Sequence, residues 1–260
     1  MSEFITTSLE NNVLTITLDR PNKLNSFIEP MAQELQDALT EASRKDEVRC
    51  VLLTGNGKAF SAGQDLPEVV DKGEDYELGD TVRKSYNPII NSIRQLDKPV
   101  VCAVNGTAAG AGANIALACD IVLASNEAVF VQSFSKIGLI PDSGGTFFLP
   151  RLVGLQRANA MYLLDEKISP EKAEEIGLIY KAVDADELMN EAQSICQKLA
   201  KMPTRGFALY KEAINQSLSN NLDEHLELEA DLQTEAGKTD DYHEGVQAFL
   251  EKRKPEFKGK

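Results

Sequence analysis

The chain has 260 residues, of which 42% are hydrophobic and 26% charged. That is room for one large domain with a core of ordinary size, and it excludes a disulfide-stapled miniprotein. Asp plus Glu number 41 against 27 Lys plus Arg, a formal net charge of −14. Such an acidic balance argues against sequence-independent nucleic-acid binding, and any anionic ligand has to be met by local cations or backbone N–H groups.

The first segments in chain order are β. Val13–Leu18 reads VLTITL, alternating and β-branched, and predicts a strand that pairs with Phe4–Leu9 across Asn11 and Asn12. Met31, Leu35, Ala38, Leu39 and Ala42 recur at helical spacing and predict an amphipathic helix over 29–44. Val48–Leu53 is a short apolar strand, and the TGNGKAFSAGQDL run after it reads as a glycine-rich loop. A helix over 81–96, a strand over 99–104 and a small-residue helix near Ala113–Ala118 follow, then short strands at 121–124 and 128–131.

Strands alternating with helices predict an α/β core. From Glu187 the pattern turns helical, with helices over 187–201, 205–217, 222–237 and 242–252. The expected organisation is a core over 1–186 and a helical appendage over 187–260, with no linker or repeat between them. No apolar run reaches membrane-spanning length: the nearest, Gly106–Cys119, carries Asn114 in its middle. The polar start MSEFITTSLENN lacks the basic and apolar regions of a secretory signal, and the final KGK is no peroxisomal address. Cys50, Cys102, Cys119 and Cys196 form no C-x-x-C pair and read as reduced core thiols. A cytoplasmic location is expected.

The usual catalytic sets fail. The two histidines, His225 and His243, lie in charged helical segments and read as surface residues. There is no H-E-x-x-H, no zinc-spaced Cys/His cluster and no G-x-S-x-G elbow, so no metal site is expected. Gly57-Lys58 lacks the rest of a P-loop, and Gly110-Ala111-Gly112 lacks the third glycine of a dinucleotide loop. What remains are three glycine loops, at 55–66, 105–114 and 138–146. Backbone N–H groups from two such loops can converge on one oxygen and build an oxyanion hole without charged side chains; alternatively the glycines only make tight turns.

Taken together, RPNKLNSF at 20–27, KAFSAGQDL at 58–66, KPVVCAVNGTAAGAGANIALACDIVLAS at 98–125, GLIPDSGGTFFLPRLVG at 138–154 and EGVQAFLEKRKPEFKGK at 244–260 resemble the crotonase (enoyl-CoA hydratase/isomerase) superfamily over nearly the whole chain. The resemblance implies an α/β fold with a ββα spiral core, a C-terminal helical trimerisation region, and an acyl-CoA thioester substrate. It implies no cofactor beyond the coenzyme A that the substrate carries, and assembly as a homotrimer or homohexamer. By the same resemblance, the oxyanion donors are the amides of Gln64 and Ala111, and Ala62, Gln64, Asp65 and Leu66 lie along the coenzyme A path. Lys23 and Leu24 fall where a first loop meets coenzyme A. Phe249 and Lys252 fall where a C-terminal helix reaches a coenzyme A, often a neighbour's. The basic tail of Lys252, Arg253, Lys254, Lys258 and Lys260 is a phosphate contact or simply a solvated end.

The departures from the family pattern carry information. The two glutamates that hold water in a hydratase fall on Asn114 and near Phe134, and neither is a carboxylate. Hydration needs both a base for water and an acid for the α-carbon, so the hydratase pair is absent. One acid, Asp142, stands where many relatives carry glycine. It reads as an N-cap of the helix that SGGTFFLPRL begins, or as a base whose apolar surroundings raise its pKa against an opposing helix N-terminus.

The surrounding FSKIGLIPDSGGTFFLPR most resembles isomerases that open ring-1,2-epoxyphenylacetyl-CoA, and also 3-enoyl-CoA to 2-enoyl-CoA isomerases. Both reactions polarise a thioester carbonyl and use one acid–base residue. The expected function is therefore an acyl-CoA isomerase with Asp142, Gln64 and Ala111 at its centre. The alternatives are a hydratase or other lyase of the family, with Glu68 or Asp65 as substitute acids, a dehalogenase using Asp142 as nucleophile, and a non-catalytic acyl-CoA- or RNA-binding member.

Overall fold

The computed structural model describes residues 3–71, 73 and 75–260. The chain opens with a hairpin, β1 (Ile5–Glu10) antiparallel to β2 (Val13–Leu18), turned by Asn11 and Asn12 with φ of 51° and 63°. Asparagine tolerates that left-handed backbone better than other side chains do. Then come α1 (Glu29–Arg44), β3 (Cys50–Gly55), β4 (Ala59–Ser61), α2 (Leu66–Asp71) and α3 (Leu78–Thr81). A π turn (Val82–Tyr86) runs on into α4 (Asn87–Gln95). Next are β5 (Val100–Val104), β6 (Thr107–Ala109), α5 (Ala111–Leu117), β7 (Ile121–Ser125), β8 (Val129–Val131), α6 (Gly145–Val153), α7 (Leu155–Leu163), α8 (Pro170–Glu175) and β9 (Lys181–Val183). The chain closes with α9 (Leu188–Ala200), α10 (Thr204–Ser217), α11 (Leu222–Ala236) and α12 (Asp240–Glu251).

Among the described residues the strands make two sheets, one in the order β1-β2-β3-β5-β7-β9 and a smaller one in the order β4-β6-β8. After the opening hairpin, strands alternate between the two sheets: β3 leads to β4, β5 to β6 and β7 to β8. Helices follow β4 and β6, so each repeat is strand, strand, helix, and the chain climbs as a spiral. Of the small-sheet strands, β8 matches the strand expected at 128–131, whereas β4 and β6 were not expected. AFS at 59–61 and TAA at 107–109 are too short to alternate, and they become strands because buried backbone must pair.

The main core lies between the large sheet and the helices, with α1 contributing Met31, Leu35 and Leu39, all fully buried. The other face of the large sheet is covered by α9, whose Leu188, Ala192, Cys196 and Ala200 pack on Cys50, Leu52, Val101, Ala103 and Leu123. All four cysteines are buried and free, as the sequence predicts. Two buried lysines stitch elements together. Lys98 donates to the carbonyls of Ala42 at 2.5 Å and Lys45 at 2.7 Å, which closes the C-terminus of α1. Lys211, 7% exposed, reaches from α10 to Asp120 at 2.8 Å, and Arg94 meets the same carboxylate at 3.1 Å.

The helix expected over 81–96 exists, with a change of pitch inside it. Asn87 N–H donates to the Val82 carbonyl, five residues back. Pro88 supplies the reason: it has no N–H for the Lys84 carbonyl, so the regular ladder fails there. The carbonyls of Lys84 and Ser85 both accept from the Gln36 side chain of α1 at 3.0 Å. His243 is exposed as expected, whereas His225 is half-buried with its Nδ1 inaccessible, because α11 lies across α10. No helix among the described residues is long and apolar enough to cross a membrane.

Candidate active site

The first two glycine loops run past the carboxyl ends of β4 and β6, the place where open α/β sheets present ligand sites, and the third follows β8 after a short 3-10 turn (Ser135–Ile137). Ser61 of β4 pairs with Ala108 of β6, and Ala109 of β6 with Val131 of β8. Gln64 lies three residues beyond Ser61, and Ala111 three beyond Ala108, so the register of the strands carries these two residues side by side. Parallel strands lie about 4.8 Å apart. That is close to the separation two N–H donors need to share one oxygen at about 2.9 Å each.

Neither amide is spent elsewhere. Among the described residues, no backbone acceptor takes the N–H of Gln64 or of Ala111, which begins α5. The Gln64 peptide is clamped by its neighbours: Phe27 N–H donates to the Gly63 carbonyl at 2.6 Å, and Asp65 N–H to the Phe27 carbonyl at 2.9 Å. Gly63 has φ of +86°, and a Cβ there would lie 2.9 Å from the Ala109 carbonyl oxygen and 3.4 Å from the Ala111 nitrogen. Only glycine lets the two loops approach this closely.

Gln64, Ala111 and Asp142 line one cavity of about 680 Å³. Its walls are mostly apolar, with Val69, Leu78, Val82, Phe134, Leu139 and Pro141 among them, and Arg83 and Lys136 bring positive charge. Of the residues expected on the coenzyme A path, Ala62 and Leu66 also line the cavity. Leu24 touches this loop through its carbonyl, which accepts from Ala62 N–H at 2.9 Å, and Lys23 closes the adjacent turn; both lie outside the cavity. Asp65 turns away from it and pairs with Arg20 at 2.6 Å. Phe249 and Lys252 lie at the end of α12, exposed and outside the cavity of their own chain. In the basic tail, Arg253 is taken by Glu244 and Glu251, both at 2.6 Å.

Asp142 is no N-cap. The helix after it starts at Gly145, its N-cap is Gly144 with φ of 75°, and no side chain caps it. Ser143 is left-handed as well, with φ of 51°. These two turns carry the chain away before the helix begins and leave the Asp142 carboxyl in the cavity wall. Burial pushes that carboxyl up to about 6, held back by hydrogen bonds from the Ser143 hydroxyl, at 2.8 Å, and from its own amide. Desolvation therefore outweighs these two hydrogen bonds. The Asp142 carbonyl accepts from Gly145 N–H at 2.8 Å and from the Asn114 side chain at 2.9 Å, and Asn114 in turn accepts from Gln132 at 3.1 Å. At the first hydratase position, then, a buried amide holds the loop that carries the acid. The second, Phe134, gives the cavity an aromatic wall.

The alternative acids are committed elsewhere. Glu68 accepts from Glu29 N–H at 2.8 Å and from the Gln64 side chain at 3.0 Å, and it does not line the cavity. A cavity with two free amides, one raised acid and, among the described residues, no second carboxylate in its wall is suited to polarising a carbonyl and moving one proton.

The enoyl-CoA hydratase/isomerase family profile matches residues 8–260. The chain belongs to the enoyl-CoA hydratase/isomerase family. It is 49% identical to the 1,2-epoxyphenylacetyl-CoA isomerase of Escherichia coli, over all of both chains. It is 36% identical to the trans-2-decenoyl-acyl-carrier-protein isomerase of Streptococcus mutans, over 97% of each. The crystal structure of an enoyl-CoA hydratase from Bacillus anthracis superposes with a TM-score of 0.91 at 34% identity, covering 99% of this chain and 100% of that one.

Within the family fold, one cavity residue went unread in the sequence. Tyr86 comes from the π turn, is 1% exposed, and donates its hydroxyl to the Gln64 side-chain oxygen at 2.5 Å. Burial, and then the nearby charges of Asp142 and Glu68, push its phenol well above the ordinary tyrosine value, so it remains a donor. The only sequence signal was Tyr-Asn-Pro inside a helical run.

Proposed function

We propose that the protein is an acyl-CoA isomerase. The observation that carries the reading is that, among the described residues, a single carboxyl, raised to about 6, lies in the same apolar cavity as two unspent amides, with Asn114 and Phe134 where a hydratase needs glutamates. The thioester oxygen accepts from the N–H groups of Gln64 and Ala111. Asp142, as carboxylate, takes a proton from the carbon next to the carbonyl. The two amides hold the enolate, whose negative charge sits largely on that oxygen, and Asp142 returns the proton further along the conjugated system, so a 3-enoyl thioester becomes a 2-enoyl thioester. Losing one such donor costs on the order of 10²–10³ in rate. The mechanism uses no cofactor beyond the coenzyme A of the substrate.

Two relatives support the substrate class. The E. coli protein is named for an aryl epoxide thioester and the S. mutans protein for a decenoyl thioester, and both are isomerases. The cavity volume and its apolar walls suit an aryl or alkenyl group. We place the protein in the cytoplasm, a reading that four buried free thiols support. We also infer that residues 187–260 assemble the chain into a homotrimer or homohexamer. Leu222 is 72% exposed, Leu226 52% and Phe249 82%, so α11 and α12 present apolar faces that need cover. In such an assembly Phe249 and Lys252 reach the coenzyme A of a neighbour.

The deciding experiment is chromatographic separation and mass spectrometry of the products from a panel of thioesters: trans-3-hexenoyl, 1,2-epoxyphenylacetyl and crotonyl. The first two are expected to rearrange without change of mass. Fast conversion of the crotonyl thioester to a product heavier by one water, with no rearrangement of the others, would replace the isomerase reading by the hydratase one.

A further inference from the structure

We propose that Tyr86 is a positioning residue, which aims the Gln64 amide at the substrate carbonyl through the Gln64 side chain. This rests on the reading of Gln64 as an oxyanion donor, and it assigns the π turn a role in catalysis.

The half-buried Gln64 side chain is held by a set of fixed partners. Its Nε2 donates to Glu68 at 3.0 Å, to the Phe27 carbonyl at 3.2 Å and to the Asp65 carbonyl at 3.3 Å. Its Oε1 accepts from the Tyr86 hydroxyl at 2.5 Å. Glu68 is itself tied to the first residue of α1 through Glu29 N–H. The side chain therefore binds the oxyanion loop to α1 on one side and to the π turn on the other. Without Tyr86, the Oε1 acceptor is left unpaired beside an apolar cavity, and the side chain is free to rotate toward water.

The π turn is what delivers the hydroxyl. Its extra residue shifts the helical phase so that Ser85 and Tyr86 are buried while Arg83 and Lys84 stay exposed. Pro88 causes the shift and Gln36 satisfies the carbonyls of Lys84 and Ser85. Phe27 packs edge-on against the Tyr86 ring, with centroids 6.1 Å apart. The same Phe27 backbone clamps the Gly63 and Asp65 peptides on either side of Gln64. The ring is held by packing, so its hydroxyl meets Gln64 at a fixed point. An error of about 1 Å in such a group is enough to cost on the order of 10² in rate.

The test uses Tyr86→Phe, Gln64→Met and the double variant. Gln64→Met keeps the backbone donor and removes the amide that Tyr86 holds. The expected result is a fall in isomerase kcat of about tenfold for either single variant with KM within about threefold. The double variant should lie within about twofold of Gln64→Met, because both changes break one link.

A second readout reports the carbonyl directly. Cinnamoyl-CoA has no proton to move, and its thioester C=O stretch falls when hydrogen bonds polarise it. The full-length wild-type protein should lower that frequency, and both variants should return it part of the way to the free value. A wild-type protein that leaves the stretch unchanged overturns the oxyanion reading of Gln64, and this inference with it. A wild-type shift that survives in Tyr86→Phe overturns the positioning role alone. So do fully additive losses in the double variant, which mean that Tyr86 acts on the substrate by itself. If Tyr86→Phe does not fold, Gln64→Met decides: an unshifted carbonyl stretch there, relative to wild type, refutes the link.

Discussion

Asp142→Asn separates chemistry from stability in one substitution. In the folded protein the carboxyl titrates near 6 rather than at the ordinary 3.8, because burial disfavours its charge. The difference of about two units, at 1.36 kcal/mol each, means that the ionised residue costs the fold about 3 kcal/mol. Below pH ~3.8 the acid is protonated whether the chain is folded or not, and there is no cost; the cost grows as pH rises and is complete above about 6. An asparagine keeps the shape and an acceptor for Ser143 but never carries the charge. Asp142→Asn should therefore be more stable than wild type at pH 7.5, by about 2–3 kcal/mol, and equal to it at pH 3.5. Urea denaturation at the two pH values measures both. Isomerase turnover should fall about 10²–10⁴-fold. In the wild type, kcat/KM should rise about tenfold per pH unit up to an inflection near 6, since only the carboxylate accepts the proton. A variant that keeps near-full turnover, or a stability difference that is absent at pH 7.5 or unchanged between the two pH values, refutes the reasoning.

Gly63→Ala places a Cβ against the Ala109 carbonyl in a left-handed backbone. It should cost about 1–3 kcal/mol in thermal denaturation and, by parting the two amides, on the order of 10²–10³ in turnover. Asp120→Ala leaves Lys211 buried without its counter-charge and removes the partner of Arg94; chemical denaturation should show a loss of about 3–5 kcal/mol. Light scattering at micromolar concentration should give the mass of three or six chains, and replacing Leu222 and Leu226 by Asp should lower it.

Much of the architecture was written in local pattern. The run VLTITL, the apolar spacing of 29–44 and the four C-terminal helices all lie where periodicity placed them, within a residue or two. What stayed hidden depends on pairing between distant segments. Nothing in AFS or TAA announces a strand, and the register of Ser61 on Ala108 that sets Gln64 beside Ala111 is a contact across some fifty residues. Asp142 was legible as the one acid of the third loop. Its N-cap reading failed on the left-handed backbone of Ser143 and Gly144, which the short Ser-Gly-Gly run allows but does not demand. How far burial outweighs the hydrogen bonds on its carboxyl depended on the packing of the third loop, and the helix itself starts three residues further on. Tyr86 stayed hidden because a buried tyrosine in an apolar helix is ordinarily core, and only the position of Pro88 marked the change of pitch.

The small sheet also works as a ruler. The gap between the two amides proposed to hold the thioester carbonyl is inherited from the pitch between β4 and β6, a dimension common to every hydrogen-bonded strand pair, rather than from the shape of any side chain. Changes elsewhere around the cavity thus leave that gap alone. A larger residue at Val82, a smaller one at Leu139, or a different acid in the Phe134–Asp142 loop alters which acyl group enters and where its proton goes, while the electrophilic end of the reaction is kept. For an engineer, the tool post is fixed and the tools are exchangeable: activity should be re-aimed from the third loop, with Gly63, its facing strand and Tyr86 left untouched.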